Sequence, residues 1–557
     1  MNRTIIAFST LTLVLAGSLL QAAPRPNVII IYTDDHGYAD LSCQGIVKDI
    51  KTPHTDKLAR EGVRFTSGYC SAPQCRPSRA GLLTGRYQNR FGLESNNDAG
   101  LPWSELTFAE RLGAAGYLTG MCGKWHCDGA VGSNGERPDG SMGKRVLDKK
   151  GQYHGDRLKN PGEVDRHGFQ QYLSGSRASY VATHDASGKD LGGKTRHADP
   201  RFRIDVQAEW AASFINRNAA KEKPFCLYVG FFAPHVPLEA PEKYLDRFPG
   251  EMPRRRRLAL AMISAVDDGV GLIDKALVET GVKQNTLVFY IGDNGAPLKI
   301  HKIDAPGGGP GWDGSLNDPW IGEKGMVTEG GIRVPFVARW PKQFPQGQVY
   351  HRPVIALDAT ATAIVAGGLE LDEKIDGVDL VPFLTGKQTG DPHEALYWRW
   401  LGQATIRAGD WKYLQAEDRA YLFDLSSEQH EKQNLIAEHP EKAAKLKKKL
   451  AAWSQQLLDP GLAQELGAAG GKYFDHYLDG KIQPRPKTVS TGEPAKPVAR
   501  SAEALFQARD KNQDGFLTLQ EYIGNPQGRN VPALTKRFNS WDRNKDSRVT
   551  LKEMTRK

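Results

Sequence analysis

Four short, largely apolar runs along the chain share one design, each stopping abruptly at polar residues. Val28–Tyr32 precedes Asp34, Asp35 and His36, and Tyr117–Cys122 precedes Lys124 and His126. Phe225–Phe232 precedes Pro234 and His235, and Leu287–Ile291 precedes Asp293 and Asn294. Continuous rather than alternating hydrophobicity predicts strands covered on both faces, as in a parallel sheet flanked by helices. The spacing predicts such helices over Phe202–Asn218 and Arg257–Thr280. A site in this architecture lies beyond the carboxyl ends of the strands, where these polar residues sit. Residues 128–200 show little periodicity and read as long loops on the rim of that site. After Pro382, Leu396–Trp400, Ala404–Ile406, Trp411–Leu414 and Tyr421–Leu425 read as short antiparallel strands, and His439–Leu458 as an amphipathic helix.

The N-terminus adds a destination. Asn2 and Arg3 precede the apolar stretch Ile5–Leu20, and Ala22, Ala23 and Pro24 follow, which is the form of a secretory signal peptide. Gln21 or Leu20 fills the position where a small residue is preferred before cleavage, so an uncleaved anchor is the alternative. No later apolar stretch approaches the roughly 18 residues of a membrane span. The net charge of +9 is spread over the chain, with Arg254–Arg257 its one dense basic run. That distribution gives a weak preference for acidic partners and no nucleic-acid module. Six Cys in 557 residues exclude a disulfide scaffold. Cys122 and Cys127 are near enough in sequence to invite a bridge, although connectivity does not follow from spacing.

The stretch 481–500, with Pro484, Pro486, Pro494 and Pro497, reads as a linker. Beyond it, Asp510, Asn512, Asp514, Thr518 and Glu521 occupy positions 1, 3, 5, 9 and 12 of a twelve-residue loop, with Gly515 at 6 and the Phe516 carbonyl at 7. The pattern resembles a calcium-binding EF-hand. Asp542, Asn544, Asp546, Arg548, Thr550 and Glu553 repeat the spacing. Ser547 there replaces the turn Gly, and Arg548 and Lys552 add positive charge, so the second loop is expected to bind Ca²⁺ more weakly.

Asp34 and Asp35 leave one predicted strand and Asp293 and Asn294 another, so three carboxylates and an amide can converge at one sheet edge. Their mutual repulsion is resolved by a hard cation, whereas either pair alone is an ordinary turn. Cys75-Arg76-Pro77-Ser78-Arg79 leads into Ala80-Gly81-Leu82-Leu83-Thr84-Gly85-Arg86, and the Pro suits the first turn of a helix. Cys75 then stands at the positive end of a helix dipole. Taken singly, Cys75 is a buried thiol, His126 and His235 are hydrogen-bonded core histidines, Lys124 and Lys324 are solvated lysines, and Arg79 pairs with any carboxylate. His36, His54 and His301 read as local structure.

Together, these motifs resemble the signature of type I sulfatases, the formylglycine-dependent, arylsulfatase-like members of the alkaline-phosphatase superfamily. The likeness runs in order through Asp34–Gly37, Cys75–Arg86, Gly123–His126, Pro234–His235, Gly292–Gly295 and Gly322–Pro335, and ends near Leu435. The resemblance implies that Cys75 is oxidised to formylglycine by a dedicated maturation enzyme. Its hydrate then attacks the sulfur of a sulfate ester. Asp34, Asp35, Asp293, Asn294 and residue 75 are implied ligands of Ca²⁺. Arg79, Lys124 and Lys324 are implied to hold the sulfate, His235 with Lys324 to protonate the leaving alcohol, and His126 to take the proton that releases sulfate.

The expected fold is α/β: a mixed, mostly parallel sheet flanked by helices, a smaller α+β C-terminal subdomain and a helical EF-hand pair. The layout is a signal peptide at 1–23, a catalytic domain at 24–380, a subdomain at 381–480, a linker at 481–500 and the EF-hand pair at 501–557. The expected protein is a secreted or periplasmic sulfatase, without a stable membrane anchor, that acts on sulfated polysaccharides or oligosaccharides. Export and the aromatic side chains Tyr172, Tyr180, Trp312 and Trp320, read as sugar-stacking surfaces, support that substrate. The alternatives are a phosphate or phosphonate ester hydrolase of the same superfamily, and a non-catalytic calcium-binding adhesion protein.

Overall fold

The computed structural model describes residues 24–96, 100–128, 164–176, 178–298, 312–458, 467–481, 506–507, 509–510, 512, 514–523 and 531–555. The expected signal peptide and linker lie outside these residues except for Lys481, as does His301. Chain contacts divide the molecule into two compact units, Met1–Arg485 and Pro486–Lys557.

The first unit is built on a ten-stranded sheet. Its strands are β1 (Asn27–Asp34), β2 (Val63–Phe65), β3 (Leu118–Gly123), β4 (Gln171–Ser176), β5 (Ala178–His184), β6 (Asp190–Asp199), β7 (Phe225–Pro234), β8 (Thr286–Gly292), β9 (Phe336–Arg339) and β10 (Gln348–Tyr350). They lie side by side in the order β10-β2-β9-β8-β1-β7-β3-β4-β5-β6. The four apolar runs form the adjacent parallel strands β8, β1, β7 and β3. Alternate side chains of β1 enter opposite layers of core: Val28, Ile30 and Tyr32 one, Ile29 and Ile31 the other. Helices α1 (Cys75–Thr84), α2 (Arg203–Asn218), α3 (Arg254–Glu279) and α4 (Ala356–Ala366) carry the apolar faces that fill these layers.

Three expectations need correction. Residues 171–199 are not rim loops but β4, β5 and β6, antiparallel at β4–β5 and β5–β6, which extend the sheet edge. Their turn-rich composition hid them, because β6 is largely exposed and lacks an apolar run. Tyr172 and Tyr180 are each only 1% exposed, so they pack the interior and offer no sugar-stacking face. Trp320 is committed to packing against Arg333 and His430, and Trp312 is only partly exposed. Cys122 and Cys127 point into opposite core layers, and all six thiols are free. The basic run opens α3, where one of its four arginines, Arg256, is buried against Asp40 and Asp49.

The C-terminal part of this unit is a four-stranded antiparallel sheet: β11 (Leu396–Trp400), β12 (Gln403–Ala408), β13 (Trp411–Ala416) and β14 (Arg419–Asp424). It is followed by α5 (Pro440–Ser454) and α6 (Gly467–Tyr477). Among the described residues no helix is long and apolar enough to cross a membrane. The second unit pairs two short strands, β15 (Leu517–Thr518) and β16 (Arg548–Val549), over a small core of Phe506, Leu517, Tyr522, Phe538, Val549 and Met554.

Candidate active site

Register explains why distant polar residues meet. Thr33 of β1 pairs with Gly292 of β8, Tyr32 with Gly230 of β7, and Gly123 of β3 also with Gly230. Asp34, Asp293 and Lys124 therefore leave neighbouring strands at nearly one level. Gly123, at φ 91°, lies so close to Gly230 that a Cβ would stand 2.0 Å from its carbonyl oxygen. That approach lets the Lys124 amide donate to Gly230 O at 2.7 Å and aims the side chain inward. Helix α1 brings Cys75 from the same side, tied to β1 by Tyr32 Oη and Ser78 Oγ at 2.7 Å. The helix ends at Gly85, whose left-handed backbone at φ 71° lets its N–H bond Gly81 O.

The carboxylates are locked to cations. Lys124 Nζ donates to both oxygens of Asp34 at 2.8 and 2.7 Å. Arg79, fully buried, donates to Asp293 Oδ2 at 2.8 Å and to the Tyr228 hydroxyl at 2.8 Å. Lys324 Nζ bonds Asp35 Oδ1 and stands 2.9 Å from Cys75 Sγ. Asn294 Nδ2 donates to Asp35 Oδ1 at 2.7 Å, and the Asp35 amide to Asp293 Oδ1 at 3.0 Å. His235 completes the ring: its Nε2 lies 3.6 Å from Asp35 Oδ2 and its Nδ1 bonds Val236 O. Asp35 and His126 both hold left-handed backbone, φ 59° and 60°, a strain that recurs where function fixes a side chain.

Burial and charge set the protonation states. Burial raises Asp293 to about 7, with Asp34 adding to the effect against Arg79. Burial also works against ionised Asp34, yet His235, Lys124, Arg79 and Lys324 hold it well below the usual carboxylate range. Lys324 is desolvated too, but Asp35, Cys75, Asp34 and Asp293 keep it firmly protonated. Burial pushes the Cys75 thiol up to about 12, so the unmodified side chain is a poor nucleophile near neutrality. His126 is lowered by burial and then by Lys124, Arg76 and Arg79, and its Nδ1 has no hydrogen-bond partner among the described residues.

Ligand atoms of Asp34, Asp35, Cys75 and His235 all lie within 4.8 Å of one another. Asn294 Oδ1 is buried beside them without a hydrogen-bond partner among the described residues. Buried carboxylates with an unused amide oxygen form a hard donor set that suits a cation such as Ca²⁺. The sequence-predicted residues Asp34, Asp35, Cys75, Arg79, Lys124, His235, Asp293, Asn294 and Lys324 are thus brought together. The reading overlooked Tyr228, which orients Arg79, and Phe232, whose ring lies 5.5 Å from Lys124 Nζ. Both belong to the same apolar run, and only alternation within β7 could have singled them out.

In the second unit the two acidic loops make matching bonds. Asp510 Oδ2 accepts from the Gly515 amide at 3.0 Å, and Asp542 Oδ2 from the Ser547 amide at 3.0 Å. Asp514 and Asp546 accept from the Phe516 and Arg548 amides, and Asn512 and Asn544 from the Asp514 and Asp546 amides. Glu521 and Glu553 turn back to the Thr518 and Thr550 amides. Gly515 has φ 83°, and Ser547, despite its Cβ, adopts φ 65° at the corresponding turn.

Residues 26–369 match the family described as Sulfatase, and residues 320–456 match the N-sulphoglucosamine sulphohydrolase C-terminal family. The chain is 32% identical over 427 residues to the N-acetylgalactosamine-6-sulfatase of Mus musculus, covering 71% of this chain and 73% of that one. It is 31% identical over 486 residues to the arylsulfatase A of Bos taurus, covering 77% and 87%. Among solved structures, that of Ps i-CgsB in complex with k-i-k-neocarrahexaose is similar at a TM-score of 0.64 and 26% identity, covering 81% of this chain and 97% of that one.

Proposed function

The chain belongs to the sulfatase family, and from that premise we propose that it hydrolyses sulfate esters of carbohydrates at the centre around residue 75. It is a sulfuric ester hydrolase; its substrate class and the roles of its residues are our reading. The observation that carries the roles is the convergence on one thiol, with Lys324 Nζ 2.9 Å from Cys75 Sγ and three buried carboxylates behind it.

Asp34, Asp35, Asp293, Asn294 and residue 75 would hold Ca²⁺. The bound cation supplies charge neutralisation for sulfate oxygens and eases deprotonation of a neighbouring hydroxyl. Matured to formylglycine and hydrated, residue 75 supplies an oxygen nucleophile and a second hydroxyl through which sulfate is released. A cysteine thiol has no such second group, which is the chemical reason for the modification. Arg79, Lys124 and Lys324 present fixed positive charge to the sulfate and to the charge that grows as the ester bond breaks. His235, with Lys324, donates a proton to the departing alcohol oxygen, a service that matters most when the alcohol is a sugar. His126 takes a proton from the second hydroxyl at residue 75.

A carbohydrate substrate is supported by the likeness to an N-acetylgalactosamine-6-sulfatase and to a structure in complex with k-i-k-neocarrahexaose. Secretion, a formylglycine-generating partner and Ca²⁺ in the loops at 510–521 and 542–553 complete the reading. The matching hydrogen bonds of those loops support the EF-hand assignment, with the Asp, Asn, Asp and Glu oxygens and the carbonyls of residues 516 and 548 as donors. The test is free sulfate released by the matured protein from sulfated galactans, fucans and glycosaminoglycan oligosaccharides, with phosphate and phosphonate esters in parallel. Release from one glycan class is the expected result. Turnover confined to phosphorus esters would overturn the substrate assignment, and no turnover by aldehyde-bearing protein would favour a calcium-binding adhesion role.

A further inference from the structure

Lys324 is not carried by a strand or a long helix. It sits in the segment 322–328, which leads into the single turn Glu329–Ile332, yet its side chain is only 2% exposed and its ammonium is placed on both Asp35 and Cys75. A loop lysine so confined needs something to hold its backbone, because fixing a flexible segment costs conformational entropy.

The C-terminal subdomain supplies part of that restraint, alongside catalytic-domain bonds such as the Lys324 amide to Ala296 O at 3.3 Å and Asn317 Nδ2 to Gly322 O at 3.1 Å. Gln403, at the start of β12 and 3% exposed, spans the segment with both ends of its amide. Its Oε1 accepts from the Val327 amide at 2.9 Å and its Nε2 donates to Gly325 O at 2.9 Å. On the other side of Lys324, the Tyr477 hydroxyl of α6 donates to Glu323 Oε1 at 2.6 Å, and Glu323 Oε2 accepts from the Leu298 amide at 2.7 Å. Farther on, Glu431 Oε2 accepts from the Glu329 amide at 2.8 Å, and the buried Lys412 bridges Glu329 and Glu431 at 2.8 and 2.9 Å. The Gly325 amide meanwhile donates to Pro73 O at 2.9 Å, two residues before Cys75. The Trp398 indole of β11 reaches Cys70 O at 2.7 Å, so the same subdomain grips the approach to the nucleophile as well.

We propose that the C-terminal subdomain is part of the catalytic apparatus, with Gln403 as the positioning residue for Lys324 and Tyr477 as its weaker counterpart. The inference rests on the sulfatase reading for its kinetic consequence, but its structural half stands alone. Gln403 matches the local need in a way few side chains do: it satisfies one amide donor and one carbonyl acceptor on residues 325 and 327 at once. Glutamate would keep the acceptor and set a carboxylate against the Gly325 carbonyl, and leucine would fill the volume with no bonds at all.

The experiment compares Gln403→Leu, Tyr477→Phe, Lys324→Ala and Gln403→Leu/Lys324→Ala as matured full-length proteins. Gln403→Leu is expected to lower kcat about 10-fold or more, since small misplacements of a charged group near the reacting atoms are costly, with KM changed less than 3-fold. Tyr477→Phe is expected to lower kcat about 3-fold. The deciding quantity is the cycle: Lys324→Ala should cost at least about 5-fold less in the Gln403→Leu background than in the wild type. Independent multiplication of the two losses would overturn the proposal, because a merely structural Gln403 would lower both backgrounds alike. Hydrogen exchange at the Val327 amide gives a readout that needs no substrate. Exchange accelerated at Val327 in Gln403→Leu, with the central strands protected as before, supports the tether even if the sulfatase reading fails. Unchanged exchange there refutes it, and if Gln403→Leu does not fold, Tyr477→Phe with kcat and exchange of the Leu298 amide, which bonds the Glu323 carboxylate, both unchanged refutes it too.

Discussion

Two of the buried ionic clusters among the described residues look alike until their surroundings are compared. Around residue 75, Asp34, Asp35 and Asp293 face Arg79, Lys124 and Lys324. Between sheet and subdomain, Glu329 and Glu431 face Lys412, with Arg333 beside Glu329 and Arg407 on Tyr69. Each cluster holds one acid far down and raises another to about 7: Asp34 and Asp293 in the first, Glu329 at about 2 and Glu431 at about 7 in the second. Perturbed titration therefore does not by itself distinguish a reaction centre from a structural joint. What distinguishes them is access. The first cluster reaches solvent through His235, whose side chain is 22% exposed, and keeps beside it an Asn294 amide oxygen with no hydrogen-bond partner among the described residues. The second is closed: Glu329, Lys412 and Glu431 are each no more than 2% exposed, and Glu431 caps the Glu329 amide.

Perturbing each cluster should break different properties. Cys75→Ala should have the largest effect, lowering sulfate release by at least about 1,000-fold while leaving thermal unfolding nearly unchanged, because it removes the nucleophile and little packing. Lys324→Ala is expected to lower kcat by about 100- to 1,000-fold through the loss of one fixed charge at the reacting group, with much smaller changes in urea midpoint when Ca²⁺ is present. Lys412→Met in the joint should do the reverse. It leaves two buried carboxylates without their shared cation, and urea denaturation should report a loss of about 3–5 kcal/mol.

The smallest expected effect is a slope. Glu431 has a folded value of about 7 against an ordinary 4.5, raised by burial and by Glu329 in spite of Lys412. The folded state thus binds the extra proton between those values, and stability falls as pH rises from about 4.5 to 7. Glu431→Gln should flatten that decline in denaturation curves across the window. Glu329, held at about 2 by Lys412, Arg333 and Arg407 against its burial, contributes stability that is lost only as pH falls from 4.5 toward 2, so the two effects separate.

The site was more legible in the sequence than the edges of the fold. Strands buried on both faces write themselves as apolar runs, and the polar residues after them mark where the runs end; that is why Asp34, Lys124, His235 and Asp293 could be read as neighbours. Strands β4 to β6 have no such signature, since one face meets solvent and their glycines and charges resemble loop composition. Tyr172 and Tyr180 misled for a related reason: an aromatic in a turn-rich stretch reads as exposed, whereas here each fills the core beneath the sheet edge. Gln403 was illegible because nothing in a lone glutamine at the start of a short strand says that its amide spans a loop some 78 residues away.

The account's central claim is that residue 75, as formylglycine, is the reacting group of the first cluster. The most direct measurement is turnover against the fraction of residue 75 in aldehyde form, quantified by mass spectrometry across preparations co-expressed with different amounts of maturation enzyme. The account predicts sulfate release proportional to aldehyde content and extrapolating to zero with the thiol. Turnover that persists in protein carrying only Cys75 would contradict it.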